Sequence, residues 1–245
     1  MQTYKLTVAY DGTRYAGWQV QPNGVTIQQV LEDAITSVVG QPVRIAGSGR
    51  TDAGVHALGQ VASGRWNTRL TPDVLLRAIN ANLPLDIRLL SIQAVCDAFH
   101  ARRDAIEKCY RYVLEHGAVH NVFRRDYCWF LPGSLDHDPM QQGANMLVGT
   151  HDFASFQASG SPRASTVRTV TKLQVCREDP QHIAIEIAGN GFLYNMVRNI
   201  VGTLVLVGQG RERPEWVGRV LRQQDRRSAG RTAPPQGLFL VNVAY

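Results

Sequence analysis

The chain is poor in cysteine, with only four in 245 residues, at positions Cys96, Cys109, Cys128 and Cys176. No two of them stand in a Cys-x-x-Cys spacing, which excludes a zinc ribbon and a thioredoxin-like redox pair. Scattered cysteines in a chain of this length are typical of reduced core residues rather than of a disulfide framework. We therefore predict a cytoplasmic protein.

The sequence also lacks a long apolar run. The longest strongly apolar stretch, Ile200 to Val207, is interrupted by Gly202 and Thr203 and is far too short to cross a bilayer. The N-terminal residues alternate between apolar and polar instead of forming the continuous apolar segment of a secretion signal. With 44% apolar and 19% charged residues, the chain can bury a core, which excludes extensive disorder.

Acidic residues are fewer than basic ones. There are 20 Asp and Glu against 26 Lys and Arg, so the formal net charge is +6, and the isoelectric point is about 9.4. A positive balance favours a polyanionic partner such as nucleic acid, although many proteins that bind none share it. The net charge alone therefore does not identify the partner, and the sequence motifs are needed to do so.

Alternating and helical periodicities predict an α+β fold made of two halves. The first half has the order strand, helix, strand, strand, helix, strand, which is the split βαβ plan of ferredoxin-like folds. Thr26 and Gln29 predict a capping box before the first helix, and Gly40 predicts its end. From about residue 105 the order recurs more loosely. We predict an N-terminal half over 1–103 and a C-terminal half over 104–245, with antiparallel sheets that meet at a central cleft.

The most unusual segment is a glycine-rich loop, GSGRTDAGVHALGQ, from Gly47 to Gln60. Its small residues would let a ligand approach the backbone, and they leave Arg50, Asp52 and His56 as the main chemical groups. A P-loop is excluded because no Gly-Lys-Ser/Thr follows, and a dinucleotide fingerprint because no helical pattern begins in the loop. An aspartate is an anion at neutral pH, so Asp52 is a candidate nucleophile or base. The alternative is a turn residue between two strands.

A second candidate segment, Phe99 to Leu114, alternates basic and aromatic residues. Basic groups bind phosphates, and aromatic rings stack on unpaired bases, so this pattern favours single-stranded RNA. Tyr110 and Tyr112 lie two apart on a predicted strand and therefore share one face. We expect one of them to be a core residue and the other to be a candidate stacking ring.

A third candidate is a single arginine in a helix predicted over Phe192 to Val207. The helix is almost wholly apolar and hence buried, and Arg198 interrupts it. An unpaired guanidinium is costly to bury, so Arg198 needs an anionic partner. Either Arg198 forms a structural salt bridge, or its partner is the loop carboxylate of Asp52.

The histidines do not indicate a metal centre. His116 and His120 are four apart, but Gly117 and the strand-to-loop pattern around them do not predict a helical pair. The base-deaminase pattern, His-x-Glu followed by Pro-Cys-x-x-Cys, is absent as well. We therefore predict no metal-dependent catalysis.

Six segments of the chain resemble the tRNA pseudouridine synthase A family. They are YDGTRYAGWQVQ, GSGRTDAGVHALGQV, FHARRDAIEKCYRYVL, HDFASF, GFLYNMVRNIVGTL and TAPPQGLFL. They occur in the family's order from one end of the chain to the other, so the resemblance covers nearly the whole protein. The block around Asp52 is highly specific, whereas HDFASF alone would be a weak indication.

This resemblance implies an enzyme that isomerises uridine to pseudouridine in the anticodon stem-loop of tRNAs, at about nucleotides 38–40. It also implies two α+β halves around a basic cleft, and a homodimer in which one tRNA contacts both subunits, with no metal or organic cofactor. Asp52 matches the catalytic aspartate, Tyr110 the tyrosine that stacks on the target uracil, and Arg198 the basic partner of the aspartate. Arg50 matches the arginine that helps to extrude the target nucleotide.

The residues by themselves leave two other functions open. A non-catalytic RNA-binding or chaperone-like module would use the same basic and aromatic segments, with Asp52 as a turn residue. A small-molecule enzyme of ferredoxin-like fold would show no steep salt dependence of tRNA binding. The sequence also leaves open whether Asp52 attacks the sugar, attacks the uracil ring or starts an elimination.

Overall fold

The computed structural model describes residues 1–160 and 164–245. The chain forms two compact units, a first unit of Met1–Ile106 with Phe239–Tyr245 and a second unit of Glu107–Leu238. Both units combine β-strands with helices, so the predicted mixture of helix and sheet is confirmed. Within the described residues, none of the helices has both the length and the apolar character needed to cross a membrane.

The helices and strands are numbered along the chain. Their order is β1 (Gln2–Tyr10), α1 (Ile27–Val39), β2 (Ile45–Gly47), β3 (His56–Trp66), α2 (Pro72–Asn82), β4 (Ile87–Val95), β5 (Glu107–Gly117), β6 (Trp129–Pro132), α3 (His137–Asn145), β7 (Gly149–Asp152), β8 (Val167–Arg177), β9 (His182–Gly189), α4 (Met196–Gly208), α5 (Glu215–Gln223) and β10 (Leu238–Ala244). The first six are the predicted strand, helix, strand, strand, helix and strand.

The sheet of the first unit is built around β1. This strand pairs antiparallel with β3 on one side and with β4 on the other, so that Leu6 faces Ala62 and Ile92. The short β2 pairs antiparallel with the second part of β3, and β10 pairs parallel with its start. The loop between β2 and β3 is therefore anchored at both ends to one strand.

Helix α1 forms where the capping residues predict it. The Thr26 side chain accepts a hydrogen bond from the Gln29 amide at 3.4 Å, and Gly40 ends the helix in the left-handed region with φ of 71°. Burial of one face of the helix, which includes Leu31 and Ile35, excludes water from the apolar side chains and stabilises the helix against the unit.

The second unit has a sheet in the order β7-β8-β9-β5, with all three of these pairings antiparallel. The short strand β6 lies parallel to the end of β5. Strands β6 and β7 have only four residues each, too few for an alternating pattern to predict them. Helix α4 is almost entirely buried, as predicted, but it begins at Met196 because Asn195 has a left-handed φ of 58°.

The final strand pairs with an early one. Residues Phe239 and Leu240 lie opposite His56 and Ala57 of β3, so that Phe239–Tyr245 belongs to the first unit. The division predicted from the sequence, after residue 103, places this strand in the C-terminal half instead. An alternating pattern specifies that a strand forms, but it does not specify which strand it will pair with.

Two glycines let the segment before the last strand cross helix α4 in direct contact with its backbone. A Cβ on Gly202 would lie 1.7 Å from the carbonyl oxygen of Arg231, and a Cβ on Gly230 would lie 2.5 Å from the carbonyl oxygen of Gly202. The Gly230 amide donates to the Thr203 hydroxyl at 3.0 Å. No other residue type fits at this crossing without moving one of the two backbones.

We expect Gly202→Ala to lower the free energy of unfolding by at least about 2 kcal/mol, because the added methyl overlaps a backbone carbonyl that cannot rotate away. The matched control is Gly218→Ala in α5, whose nearest neighbour would be the flexible Met146 thioether at 3.1 Å. At position 218, alanine has a higher helix propensity than glycine, so the free energy of unfolding should stay unchanged or rise slightly. Denaturant unfolding of the full chain measures both, and equal effects would contradict the packing described for Gly202.

Candidate active site

The loop that carries Asp52 is anchored first at its start. The Ser48 amide donates to the Val61 carbonyl at 2.7 Å. The buried Ser48 hydroxyl donates to the Gln60 amide oxygen at 2.6 Å, and the Gln60 amide nitrogen donates to the carbonyl of Gly49 at 3.1 Å. Gln60, on β3, therefore holds both the side chain and the backbone of the residues that enter the loop.

Asp52 and the residue before it are held by three further hydrogen bonds, two to the backbone and one to a side chain. The Trp18 amide donates to the Thr51 carbonyl at 3.1 Å, and the Val55 amide donates to the Asp52 carbonyl at 3.1 Å. The Tyr10 hydroxyl and the Thr51 hydroxyl lie 2.8 Å apart in the core. Burial raises the pKa of Tyr10 to about 12, so this phenol keeps its proton at neutral pH. Asp52 itself is half-buried.

The segment from Asp11 to Trp18 lies directly against this loop, and two glycines make that possible. Gly17 has a φ of +87°, and a Cβ there would lie 2.6 Å from the Thr51 carbonyl oxygen. A Cβ on Gly12 would lie 2.0 Å from the Val55 carbonyl oxygen. This explains why the first family-like segment, YDGTRYAGWQVQ, is rich in small and aromatic residues: it forms the wall that supports the Asp52 loop.

The other two chemical groups of the loop have different surroundings. Arg50 is exposed to solvent. His56 is buried, and its Nδ1 accepts from the Gly12 amide at 3.1 Å while the Asp11 carboxylate lies 3.1 Å from the same atom. The His56 ring also stacks on Phe239, with centroids 4.7 Å apart. His56 thus holds three segments of the first unit together.

The two tyrosines of β5 differ in how deeply they are buried. Tyr112 has no exposed surface, and its hydroxyl donates to the Pro234 carbonyl at 2.7 Å. Tyr110 is 8% exposed, and its ring meets Phe192 edge to face at 5.2 Å. Both rings are therefore buried, Tyr112 completely, and Tyr110 is the more accessible of the two.

The opposite face of β5 carries ion pairs. Arg111 pairs with Glu178 and lies 4.0 Å from Glu186, which also pairs with Lys172 at 2.6 Å. The hydrogen bond to Glu186 raises the pKa of Lys172. Arg111, one of the basic residues singled out in the sequence, is thus engaged by carboxylates of its own unit.

Arg198 is half-buried on the first turn of α4, and two neutral oxygen atoms orient it. Its Nε donates to the Ala233 carbonyl at 2.7 Å, and one terminal nitrogen donates to the Asn195 side-chain oxygen at 3.0 Å. The Ala233 amide donates in return to the Arg198 carbonyl at 3.1 Å. These contacts fix the plane of the guanidinium without neutralising its charge.

Comparison with known proteins identifies the family. A family model described as tRNA pseudouridine synthase matches residues 6–104 and 144–245. A tRNA pseudouridine synthase A of Thermoanaerobacter sp. (strain X514) is 46% identical over 245 residues, which is all of both chains. One from Geotalea uraniireducens (strain Rf4) is 45% identical, also over all of both chains. The chain belongs to the tRNA pseudouridine synthase family.

Two of the segments that resemble this family had no role assigned from sequence, and the structure gives them one. The buried side chain of Asn199 on α4 donates to the Phe156 carbonyl in HDFASF at 2.8 Å. Its oxygen accepts from the Thr232 hydroxyl, at the start of TAPPQGLFL, at 2.7 Å, and from Arg226 at 2.9 Å. One amide thus connects three loops to the helix that carries Arg198.

Sequence reasoning missed four residues that position the site of this pseudouridine synthase family member. Asn195 and Ala233 accept hydrogen bonds from Arg198 directly. Gln60 holds the residues that enter the Asp52 loop, and Asn199 ties three loops to the helix that carries Arg198. Asn195 carried a usable signal, since asparagine is one of the few residues besides glycine that tolerate the left-handed region. Ala233 carried none, because it contributes only backbone groups, a carbonyl and an amide.

We expect Thr232→Val to lower the free energy of unfolding by about 1–2 kcal/mol, because it leaves the oxygen of Asn199 and a nitrogen of Arg226 without this hydroxyl. The matched control is Thr150→Val, which removes a hydroxyl from an exposed pair with Thr169 and should change stability by less than about 0.5 kcal/mol. Thermal and denaturant unfolding measure both. An equal change in the two variants would argue against the Asn199 network.

Proposed function

We propose that the protein converts uridine to pseudouridine in the anticodon stem-loop of tRNAs, at about nucleotides 38–40. The observation that carries this proposal is the full-length relationship to proteins named tRNA pseudouridine synthase A, at 45–46% identity without truncation of either chain. The support for Asp52 as the reacting group is the hydrogen bonding that fixes the backbone of Thr51 and Asp52 and the side chain of Thr51.

The proposed reaction is an isomerisation. The bond between C1′ of the ribose and N1 of the uracil breaks, the ring turns, and C1′ forms a bond to C5. The proton on C5 is lost and N1 gains one, so that atoms and electrons balance with no oxidant or reductant. One carboxylate that serves as a nucleophile or base is sufficient for this chemistry.

In this proposal, Asp52 contacts the reacting nucleotide, and the other candidates bind or position it. The target base must leave the stack, which costs a few kcal/mol. Tyr110 stacks on the extruded uracil, and exposed Arg50 helps to extrude the nucleotide. Arg198 pairs with Asp52, because a fixed guanidinium favours the ionised carboxylate.

The finer architecture is also a proposal. We infer that each unit is a ferredoxin-like half and that their sheets meet at an RNA-binding cleft. In the first unit, the strand order β4-β1-β3-β2 supports this inference, since it is the order of a split βαβ sheet. We further propose a cytoplasmic homodimer. Light scattering would then report twice the chain mass of 27.1 kDa.

The decisive prediction concerns Asp52. We expect Asp52→Asn to abolish tritium release from tRNA labelled at uracil C5, a loss of about a thousandfold or more, because the amide is neither a nucleophile nor a base. The control is Asp33→Asn on the exposed face of α1, which should release tritium like the unaltered chain.

Two results would contradict this proposal in different ways. Substantial release by Asp52→Asn would remove Asp52 from the chemistry and leave the family activity intact. No release by the unaltered chain, together with tight and salt-dependent tRNA binding, would favour a non-catalytic RNA-binding module.

A second prediction separates stacking from the phenol group. Tyr110→Phe keeps the ring and should retain most of the single-turnover rate on labelled tRNA. Tyr110→Ala loses stacking worth about 1–3 kcal/mol, so we expect the rate to fall by about 5–150-fold. If both variants bind and react alike, Tyr110 does not stack on the target base. Circular dichroism of each variant checks that the second unit stays folded.

A further inference from the structure

A cluster of three potential metal ligands lies at the end of β5 in the second unit. Glu115 and Cys128 are each only 1% exposed, and the His120 side chain is 31% exposed. The Cys128 sulfur lies 3.2 Å from Glu115 Oε2 and 3.8 Å from His120 Nε2. His120 Nε2 lies 3.4 Å from the same carboxylate oxygen. Three different donor atoms therefore point at one small volume.

The spacing of these atoms fits one face of a zinc tetrahedron. Zinc binds sulfur at about 2.3 Å and imidazole nitrogen or carboxylate oxygen at about 2.0–2.2 Å. In a tetrahedral site with those bond lengths, neighbouring ligand atoms are about 3.3–3.6 Å apart. The observed separations of 3.2, 3.4 and 3.8 Å bracket that range. A cation here could reach all three donors with only small side-chain shifts.

Neighbouring groups hold Glu115 and His120 in place. The Asn121 amide donates to Glu115 Oε1 at 2.8 Å, which leaves Oε2 directed at the cluster. The His120 ring stacks on Phe130 of β6, with centroids 4.8 Å apart and planes 11° from parallel. The parallel register of β5 and β6, with Glu115 opposite Phe130, brings the start of β6 beside the carboxylate. A hydrogen bond that orients a ligating carboxylate, such as the one from Asn121, is typical of metal sites.

We propose that Glu115, His120 and Cys128 bind one zinc ion, with water in the fourth position. A thiol, an imidazole and a carboxylate together are a donor set that zinc prefers over magnesium or calcium. Without metal, the Cys128 thiol carries a proton, and its sulfur lies 3.2 Å from both the Glu115 carboxylate and the Arg124 carbonyl. Zinc takes the place of that proton, which is released to solvent, and its charge compensates the buried carboxylate.

This zinc stabilises a loop of the second unit. It connects the end of β5 to the start of β6 across the loop between them, which exposes Val119, Val122 and Phe123 and has no core of its own. Glu115 is five residues beyond Tyr110 on the same strand, a distance of about 17 Å. The proposal therefore concerns the loop and not the isomerisation, and it does not depend on the proposed function.

The test is metal binding by the full chain in reduced form after removal of metals with a chelator. We expect one zinc per chain in competition with a colorimetric zinc indicator. Cobalt should give intense visible bands of a tetrahedral ion and a near-ultraviolet thiolate-to-cobalt charge-transfer band. His120→Ala and Cys128→Ser should each weaken zinc binding at least about tenfold. Cys128→Ser should also lose the charge-transfer band.

Two matched variants show whether the binding is specific. Cys96→Ser removes an exposed thiol, and His116→Ala removes the other histidine of this segment, so both should bind zinc like the unaltered chain. His120 is partly exposed, so its variant should fold even if Cys128→Ser does not, and circular dichroism checks each. Binding below one zinc per chain, a cobalt spectrum without the thiolate band, or equal zinc affinity in His120→Ala would overturn the proposal.

Discussion

The position of Asp52 depends on backbone contact between its loop and the segment that follows β1. The amide of Trp18 can reach the Thr51 carbonyl at 3.1 Å because Gly17, with its positive φ, has no side chain to separate the two. A reacting carboxylate displaced by even a fraction of an ångström loses alignment with its substrate. The glycines and aromatic residues before α1 are therefore as much a part of the candidate site as the aspartate they support.

In the second unit, the Arg198 side chain is likewise positioned by contacts with backbone and amide groups. The guanidinium of Arg198 is oriented by a backbone carbonyl at Ala233 and an amide oxygen at Asn195, and the helix beneath it is tied to three loops by Asn199. Both oxygen atoms are neutral, so these two contacts orient the guanidinium without cancelling its charge. A carboxylate at either position would fix the same plane but would cancel that charge.

Local patterns predicted most of the elements, and contacts between distant segments account for what they missed. The bounds of β4 and the cap of α1 follow from periodicity and capping residues that act within a few positions. The pairing of β10 with β3 does not follow from such local patterns, because the two strands are more than 170 residues apart in the chain. In the site, Asp52 and Arg198 stand out because their residue types are unusual for their surroundings. Ala233 acts through a carbonyl that every residue has.

The two tyrosines of β5 show which features of the site the sequence pattern predicts and which it does not. Their spacing assigns both rings to one face of the strand, but the burial of the Tyr112 ring is set by a segment more than 120 residues away. The Pro234 carbonyl accepts from the Tyr112 hydroxyl, and Gly237 packs so closely that a Cβ there would lie 2.6 Å from the ring. Burial raises the pKa of Tyr112 well above its ordinary value, which keeps this phenol a donor. The contacts of Pro234 and Gly237 bury Tyr112 and thus distinguish it from Tyr110, the ring that we propose for stacking.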